Sequence, residues 1–445
     1  MNKRLLKNLR DNMPEFLKHI TALVFRYKLI INKEFLKYYT LLENRELLSP
    51  EEIKEEQFKQ LKNILIYSYQ NVPYYQELFN KISFDPYNFS DFEQIKIIPF
   101  LTREIINNNY DKLISTRKIK NGYYTAMTGG STGLPLKFLL DYDSIFKENA
   151  FIYYFRKKLG YKFGDKLATF RTNEYGGSLW KYNPMYNEII FFPRKLSKVT
   201  IVKIAEKINN YNPLYLNGYL SAIWYFAKLL EEYKINLSVK FKGIFLISEN
   251  LDDNRRKFIE QFFNTKSSTF YGHSERCVIA EEITTNIYKF DPYYGYTEKI
   301  QLEDNQFSIV GTGFLNHVMP FIRYRTDDIC LSNGQFDTIT GKRNRTLGLY
   351  GNNDEFLPST AWGLEDPVFK NITTYQFIQA EKGKAELLIV VNKDYRMSEL
   401  EVIKKKINHQ CKGIIDIDVK IVENLNLSPR GKYQMYISNI SHGNV

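Results

Sequence analysis

The chain has 445 residues, 44% hydrophobic and 25% charged, which is ordinary globular composition at a length that suits two or three domains. Its net charge of +12, from 62 Lys+Arg against 50 Asp+Glu, is spread along the sequence and suits anionic ligands such as nucleotides or an acidic membrane face. There is no basic stripe and no recognised nucleic-acid module, so a nucleic-acid partner is excluded.

Residues 1 to about 115 read as mostly helical. The most apolar N-terminal stretch, 16–39, is interrupted by Lys18, His19, Arg26, Lys28, Lys33 and Lys37 and cannot span a membrane. It is either a helix packed on the domain or a basic amphipathic helix, in which case residues 14–39 contact a membrane surface peripherally. Ser49-Pro50-Glu51-Glu52 supplies an N-cap, a first-turn proline and first-turn acids for a helix running towards Tyr69. Asn71-Val72-Pro73-Tyr74-Tyr75 breaks it, and residues 97–103 read as an extended piece leading to a helix capped at Thr102.

From residue 136 strands and helices alternate. Strands are expected at 136–140, 166–171, 214–216, 241–247 and 267–270. Helices are expected at 143–159, 198–209, 222–232 and 252–263. Repeated β-α-β implies a parallel sheet with helices on its faces, and ligands in such sheets lie at the carboxyl ends of the strands. Between 287 and 331 helical periodicity stops and a small β subdomain is expected. From about 344 a separate α+β unit follows, with strands at 375–379, 385–391 and 415–421 and a helix at 398–410, closed by residues 433–438. The fold class is therefore α/β: a large N-terminal domain, 1–343, with mostly parallel sheet and a small β subdomain, and a small α+β domain, 344–445, for which the resemblance given below implies mobility. Cys277, Cys330 and Cys411 are far apart and odd in number, which excludes a disulfide framework or zinc site and fits a reducing cytoplasm. No signal peptide is visible.

Five stretches carry chemistry. Thr128-Gly129-Gly130-Ser131-Thr132-Gly133 lets the backbone approach a ligand and turn its N–H groups towards an anion. The hydroxyls of Thr128, Ser131 and Thr132 can donate to phosphate oxygens, and Lys137 adds a positive charge. It is not a Walker A loop, because Leu134-Pro135-Leu136 separates the last glycine from the lysine. A polar surface turn has the same composition. In Tyr271-Gly272-His273-Ser274-Glu275 the tyrosine can stack on a base, Gly272 permits close approach, Ser274 can bond a phosphate and Glu275 can hold Mg²⁺. Arg323-Tyr324-Arg325-Thr326-Asp327-Asp328 alone reads as a loop with a solvated acidic pair. Gly341-Lys342-Arg343-Asn344-Arg345 falls at the domain boundary, and Pro429-Arg430-Gly431-Lys432 alone is an exposed turn in a basic protein. Tyr175, Tyr219 and Phe245 either line a pocket or belong to the core.

In order and spacing these stretches resemble the adenylate-forming superfamily, which includes acyl-CoA synthetases and adenylation domains, from about Tyr69 to Tyr436. Asn71 to Tyr75, the loop form Thr-Gly-Gly-Ser-Thr-Gly, Pro213 to Tyr219, Ser248-Glu249 and Tyr375 to Gln379 are similar to the phenylacetate-CoA ligase-like branch, including the CapK group found with capsular polysaccharide genes. The resemblance implies a ligase that uses ATP and Mg²⁺ to join a small carboxylic acid to AMP. It implies phosphate contacts from Thr128 to Gly133, Lys137 and Ser274, adenine and ribose contacts from Tyr271, Gly272 and Asp328, and a metal contact from Glu275. Lys342, Arg343 and Arg345 would form the hinge, and Lys432 would be the catalytic lysine on a mobile loop. CoA would be the acyl acceptor. An amine, on an amino sugar or amino acid, is the alternative, and a non-catalytic partner in polysaccharide assembly is a second. The sequence departs from the superfamily pattern at Asp327, where glycine is usual, and at Lys342 and Arg345.

Overall fold

The computed structural model describes residues 30–127, 136–171, 177–249, 251–302, 306–331, 338–340, 348–352, 355–358, 367–411, 413–427, 434–438 and 440. Helices α1 (Lys33–Arg45), α2 (Pro50–Asn71), α3 (Pro73–Lys81) and α4 (Arg103–Asn108) make up the helical lead-in. α2 begins at Ser49, whose hydroxyl accepts from the Glu52 amide at 3.2 Å while the Glu52 carboxylate accepts from the Ser49 amide at 2.8 Å. That reciprocal box, with Pro50 at the first helical position, satisfies amides that the helix itself leaves open. α4 is capped by Thr102, and Leu101 just before it bridges to Tyr324.

Strands β1 (Tyr123–Met127) and β2 (Lys137–Asp141) pair antiparallel, with Met127 opposite Lys137. Asp141 then caps helix α5 (Tyr142–Lys157) by accepting from the Ser144 amide at 2.7 Å. The alternating region follows as β3 (Leu167–Phe170), β4 (Trp180–Asn183), β5 (Glu188–Phe191), α6 (Ile201–Tyr211), β6 (Tyr215–Gly218), α7 (Leu220–Glu232), β7 (Gly243–Leu246), α8 (Asp253–Phe262) and β8 (Ser267–Gly272). Every residue of β3, β6 and β7 is buried, as a sheet covered on both faces requires. Ile204, Phe226 and Ile259 of α6 to α8 cover one face. Phe35 of α1 and Tyr153 of α5 help cover the other, meeting edge to face at 5.5 Å. Residues 33–39 of the basic N-terminal stretch are thus part of a helix packed on the protein. Residues 14–29 lie outside the described residues.

β9 (Ile279–Thr284), β10 (Ile287–Phe290), β11 (Gly295–Gln301), β12 (Gln306–Gly313), β13 (Tyr324–Leu331) and β14 (Thr338–Thr340) extend the same sheet. Its order is β11-β12-β13-β14-β10-β9-β8-β7-β6-β3-β5-β4. The strands expected as a small β subdomain are therefore hydrogen-bonded into the large sheet. The reason lies in β8. Residues 267–269 pair parallel with β7, and residues 270–272 pair antiparallel with β9. The sheet is parallel from β5 through β3, β6 and β7 to β8, and antiparallel beyond β8 and at the β4 edge.

A two-stranded ribbon of β15 (Gly348–Tyr350) and β16 (Phe356–Pro358) leads to β17 (Ile372–Glu381), β18 (Lys384–Val391), α9 (Ser398–Cys411), β19 (Asp416–Ile421) and β20 (Tyr436–Ser438). The last four strands form a sheet of order β19-β18-β17-β20. Ile403 and Ile407 of α9 pack on Phe377 and Leu387 in a core of their own. Among the described residues no helix is long and apolar enough to cross a membrane.

Candidate active site

Tyr271 and Gly272 end β8, at the joint between the parallel and antiparallel halves of the sheet. The Tyr271 hydroxyl donates to Asp328 Oδ2 on β13 at 2.8 Å. The Tyr324 hydroxyl, four residues earlier on β13, donates to Glu275 Oε1 at 3.0 Å. Two tyrosines thus cross-link the Tyr-Gly-His-Ser-Glu segment to the strand bearing Asp328. Both carboxylates are deeply buried, Glu275 at 6% exposure and Asp328 at 4%.

His273 Nδ1 lies 3.3 Å from Glu275 Oε2. Neither ring nitrogen is aligned for a directed hydrogen bond. Burial alone would raise the Glu275 carboxyl. Contact with His273, that residue's charge and the Tyr324 phenol outweigh burial and hold the group down at about 2. The Tyr324 phenol is pushed far above its ordinary range, first by burial and then by the Glu275 charge. Glu275 is therefore a fixed anion at neutral pH with phenol and imidazole around it. Burial, and then Glu275, push the neighbouring Cys277 thiol well above its usual value.

Among the described residues no group of three or more His, Cys, Asp or Glu side chains could cage a metal ion. A single buried anionic carboxylate without a cage fits Mg²⁺, which is commonly held by one or two carboxylates together with substrate phosphates. Glu275 is the residue that would hold it.

The expected phosphate-binding stretch, Thr128 to Gly133, lies outside the described residues, but its flanks do not. Phe138, Leu139 and Leu140 of β2 pack into the same core as Tyr271 and Tyr324. Lys137 opens β2 with its ammonium 5.4 Å from the Tyr110 ring centroid. Ser274 is exposed beside the buried Glu275. Tyr271 is itself buried, so its visible task is to hold Asp328. Lys342, Arg343, Arg345, Tyr175 and Lys432 lie outside the described residues.

Of the pocket candidates, Phe245 is in the core. Its ring stacks on Tyr215 at 5.1 Å and is covered by the Arg156 guanidinium at 4.7 Å. Tyr219 is the buried N-cap residue of α7. Gly218 before it takes φ 150°, and an added Cβ would stand 2.3 Å from the Phe170 carbonyl oxygen. That contact explains why glycine ends β6.

Sequence reasoning gave no role to His273 or Tyr324, although both lie inside the stretches it singled out. Glu275 lies only two residues from His273, but its contact with Tyr324, 49 residues away, is made only in the folded chain. Arg323 was also passed over. Its guanidinium makes a two-pronged contact with Glu298, at 3.0 and 2.8 Å, and donates to the carbonyls of Lys96 and Ile98.

The fold is shared with solved structures of known proteins. A 2-hydroxyisobutyryl-CoA ligase, in the postadenylation state with an acyl-AMP (R3-HIB-AMP), matches at a TM-score of 0.64 and 13% identity, over 89% of this chain and 92% of that one. A complex of the same ligase with 2-HIB-AMP and CoA in the thioesterification state matches at 0.53 and 15%, over 89% and 91%. The fold is that of the adenylate-forming ligases. A family model for the CapK C-terminal domain matches residues 361–439. Protein CapK of Staphylococcus aureus is 24% identical over 439 aligned residues, covering 93% of this chain and 95% of the relative. The chain thus shares the fold of those ligases and is similar to CapK, most specifically over residues 361–439.

Proposed function

We propose that this chain is a ligase that activates a small carboxylic acid with ATP, forming an acyl-adenylate and releasing pyrophosphate, and then passes the acyl group to CoA. The observation that carries this reading is the buried Tyr271–Asp328 and Tyr324–Glu275 pairing at the sheet joint. It brings a candidate ribose acceptor and a candidate metal ligand together in an adenylate-forming fold.

The chemistry asks for positioning and charge stabilisation rather than covalent work by the protein. Asp328, oriented by the Tyr271 hydroxyl, is the acceptor for ribose hydroxyls. Glu275, kept ionised by its neighbours, would hold Mg²⁺, which would supply charge neutralisation on the phosphates. Thr128 to Gly133, Ser274 and Lys137 are the phosphate donors. Lys432 stabilises negative charge at the α-phosphate and the substrate carboxylate, arriving by rotation of the C-terminal unit about residues 342–345.

The test is carboxylate-dependent ATP–pyrophosphate exchange with pooled aryl, fatty, hydroxy and amino acids. Wild type exchanges with one pool. Lys432→Ala and Glu275→Gln lose exchange by about 100-fold or more while keeping their melting profile. Exchange by Lys432→Ala at the wild-type rate overturns the assignment.

The CapK likeness supports a second reading of the last step, transfer to an amine with formation of an amide. A thioester formed on addition of CoA selects the first acceptor, and an amide formed only with an amino sugar or amino acid selects the second. ATP binding without exchange in any pool selects a non-catalytic partner in polysaccharide assembly.

A further inference from the structure

A polar cavity of about 320 Å³ lies among α1, α2, α5 and the loop after β12. Its lining includes Glu34, Lys37, Tyr38, Asn63, Lys147 and His317. The two ammonium groups outnumber the single carboxylate. None of these residues belongs to the nucleotide machinery described above.

Lys147 is the anomaly. It is only 8% exposed, yet among the described residues no carboxylate stands within ion-pair distance of it. Its ammonium donates to the Leu315 carbonyl at 3.1 Å and lies 5.7 Å from the Tyr38 ring centroid. An ammonium carries three donors, and a buried charge is costly unless it is paired. The nearby Asp141 is engaged elsewhere, accepting from the Ser144 amide at 2.7 Å and the His317 amide at 2.8 Å. Among the described residues a cation is thus enclosed beside a void with no carboxylate at ion-pair distance.

We propose that this cavity binds a small molecule through an oxyanion, a phosphate or carboxylate group, seated on Lys147. The volume lies at the small end of the range for ligand sites. The Asn63 amide and the Tyr38 hydroxyl line the same space and can donate to oxyanion oxygens. Asn316, next to the lining residue His317, ties this loop to β2, the strand that follows the glycine-rich stretch. Asn316 accepts from the Asp141 amide at 3.1 Å and donates to the carbonyls of Leu139 at 2.9 Å and Met319 at 2.8 Å. The bound anion therefore sits where it bears on the strand beside the nucleotide site without sharing a residue with it.

The test is calorimetric titration of the full chain with inorganic phosphate, sulfate and acetate at constant ionic strength, using wild type, Lys147→Met and Asn63→Leu. At least one anion should bind wild type with one equivalent at a dissociation constant below about 1 mM, and bind Lys147→Met at least tenfold more weakly. Phosphate held by the glycine-rich stretch would survive both substitutions, so the difference reports the cavity alone, whatever the fate of the adenylation reading. A purely structural Lys147 would lower the melting temperature but leave anion affinity unchanged. Should Lys147→Met fail to fold, Asn63→Leu and a crystal soaked in selenate decide the matter, the anomalous peak being expected within about 3 Å of Lys147 Nζ. No binding below about 10 mM by any of the three anions, or equal affinity in the variants, overturns the proposal.

Discussion

His317 shows how one residue's surroundings become a pH dependence. Burial, and then the Lys147 ammonium, hold its imidazole down at about 4, with Arg117 adding to the effect and Asp141 opposing it. The ordinary value is 6.5, so between 6.5 and about 4 the unfolded chain binds the extra proton. Stability contributed by the neutral ring is present above 6.5, falls as the pH drops towards 4, and changes no further below it. The loss is up to about 3 kcal/mol. Urea unfolding at pH 7, 5.5 and 4.5 should show this fall in wild type and a flatter profile in His317→Asn; the same slope in both would place the titration elsewhere. Gly218 makes a steric case at the same scale. Its φ of 150° and the 2.3 Å approach of an added Cβ to the Phe170 oxygen leave no room for alanine without parting β6 from β3. Gly218→Ala should cost more than about 3 kcal/mol in urea unfolding, and a loss under about 1 kcal/mol would mean that the strands can spread.

At the scale of elements, Arg323 is the tie between the helical lead-in and the antiparallel half of the sheet. It is buried with a positive φ of 50°, a conformation that non-glycine residues seldom take. From there its guanidinium reaches Glu298 on β11 and two carbonyls of the segment before α4, and stacks 4.4 Å from the Phe100 ring centroid. Arg323→Met leaves Glu298 buried without its partner and should cost about 3–5 kcal/mol. Adding Glu298→Gln should restore part of that loss in a double-mutant cycle. Amide exchange at Leu101 and Arg325, which bond across this joint, should quicken in the single variant. Elements governed by short-range rules were legible. The box at Ser49, the cap at Thr102 and the break at Val72-Pro73 all fall where the residues place them. The β4–β5 hairpin was not, because strands of four residues, one half-buried throughout and the other almost wholly buried, carry too little alternation to register.

At the scale of the molecule, the cores separate cleanly. The C-terminal sheet and α9 pack on side chains drawn from residues 349–436 alone, while the large sheet is filled from residues before 340. Units with separate cores unfold separately when the surface between them is modest. Calorimetry of the full chain should therefore resolve two transitions, and a chain ending at residue 343 should keep the larger one. A single cooperative peak in the full chain would show that the two units depend on each other.

The alternation of strands and helices, the helix caps and the kinds of residue gathered in each motif were determined by the sequence itself. They follow from backbone preference and from the chemistry of side chains a few positions apart. The tertiary structure alone decided that β8 serves two halves of one sheet. It alone decided that Glu275 and Asp328 are held by tyrosines 49 and 57 residues away, and that His273 and Tyr324 keep Glu275 ionised against its burial. Those outcomes depend on distance through space and on exclusion of water, and neither is encoded in spacing along the chain.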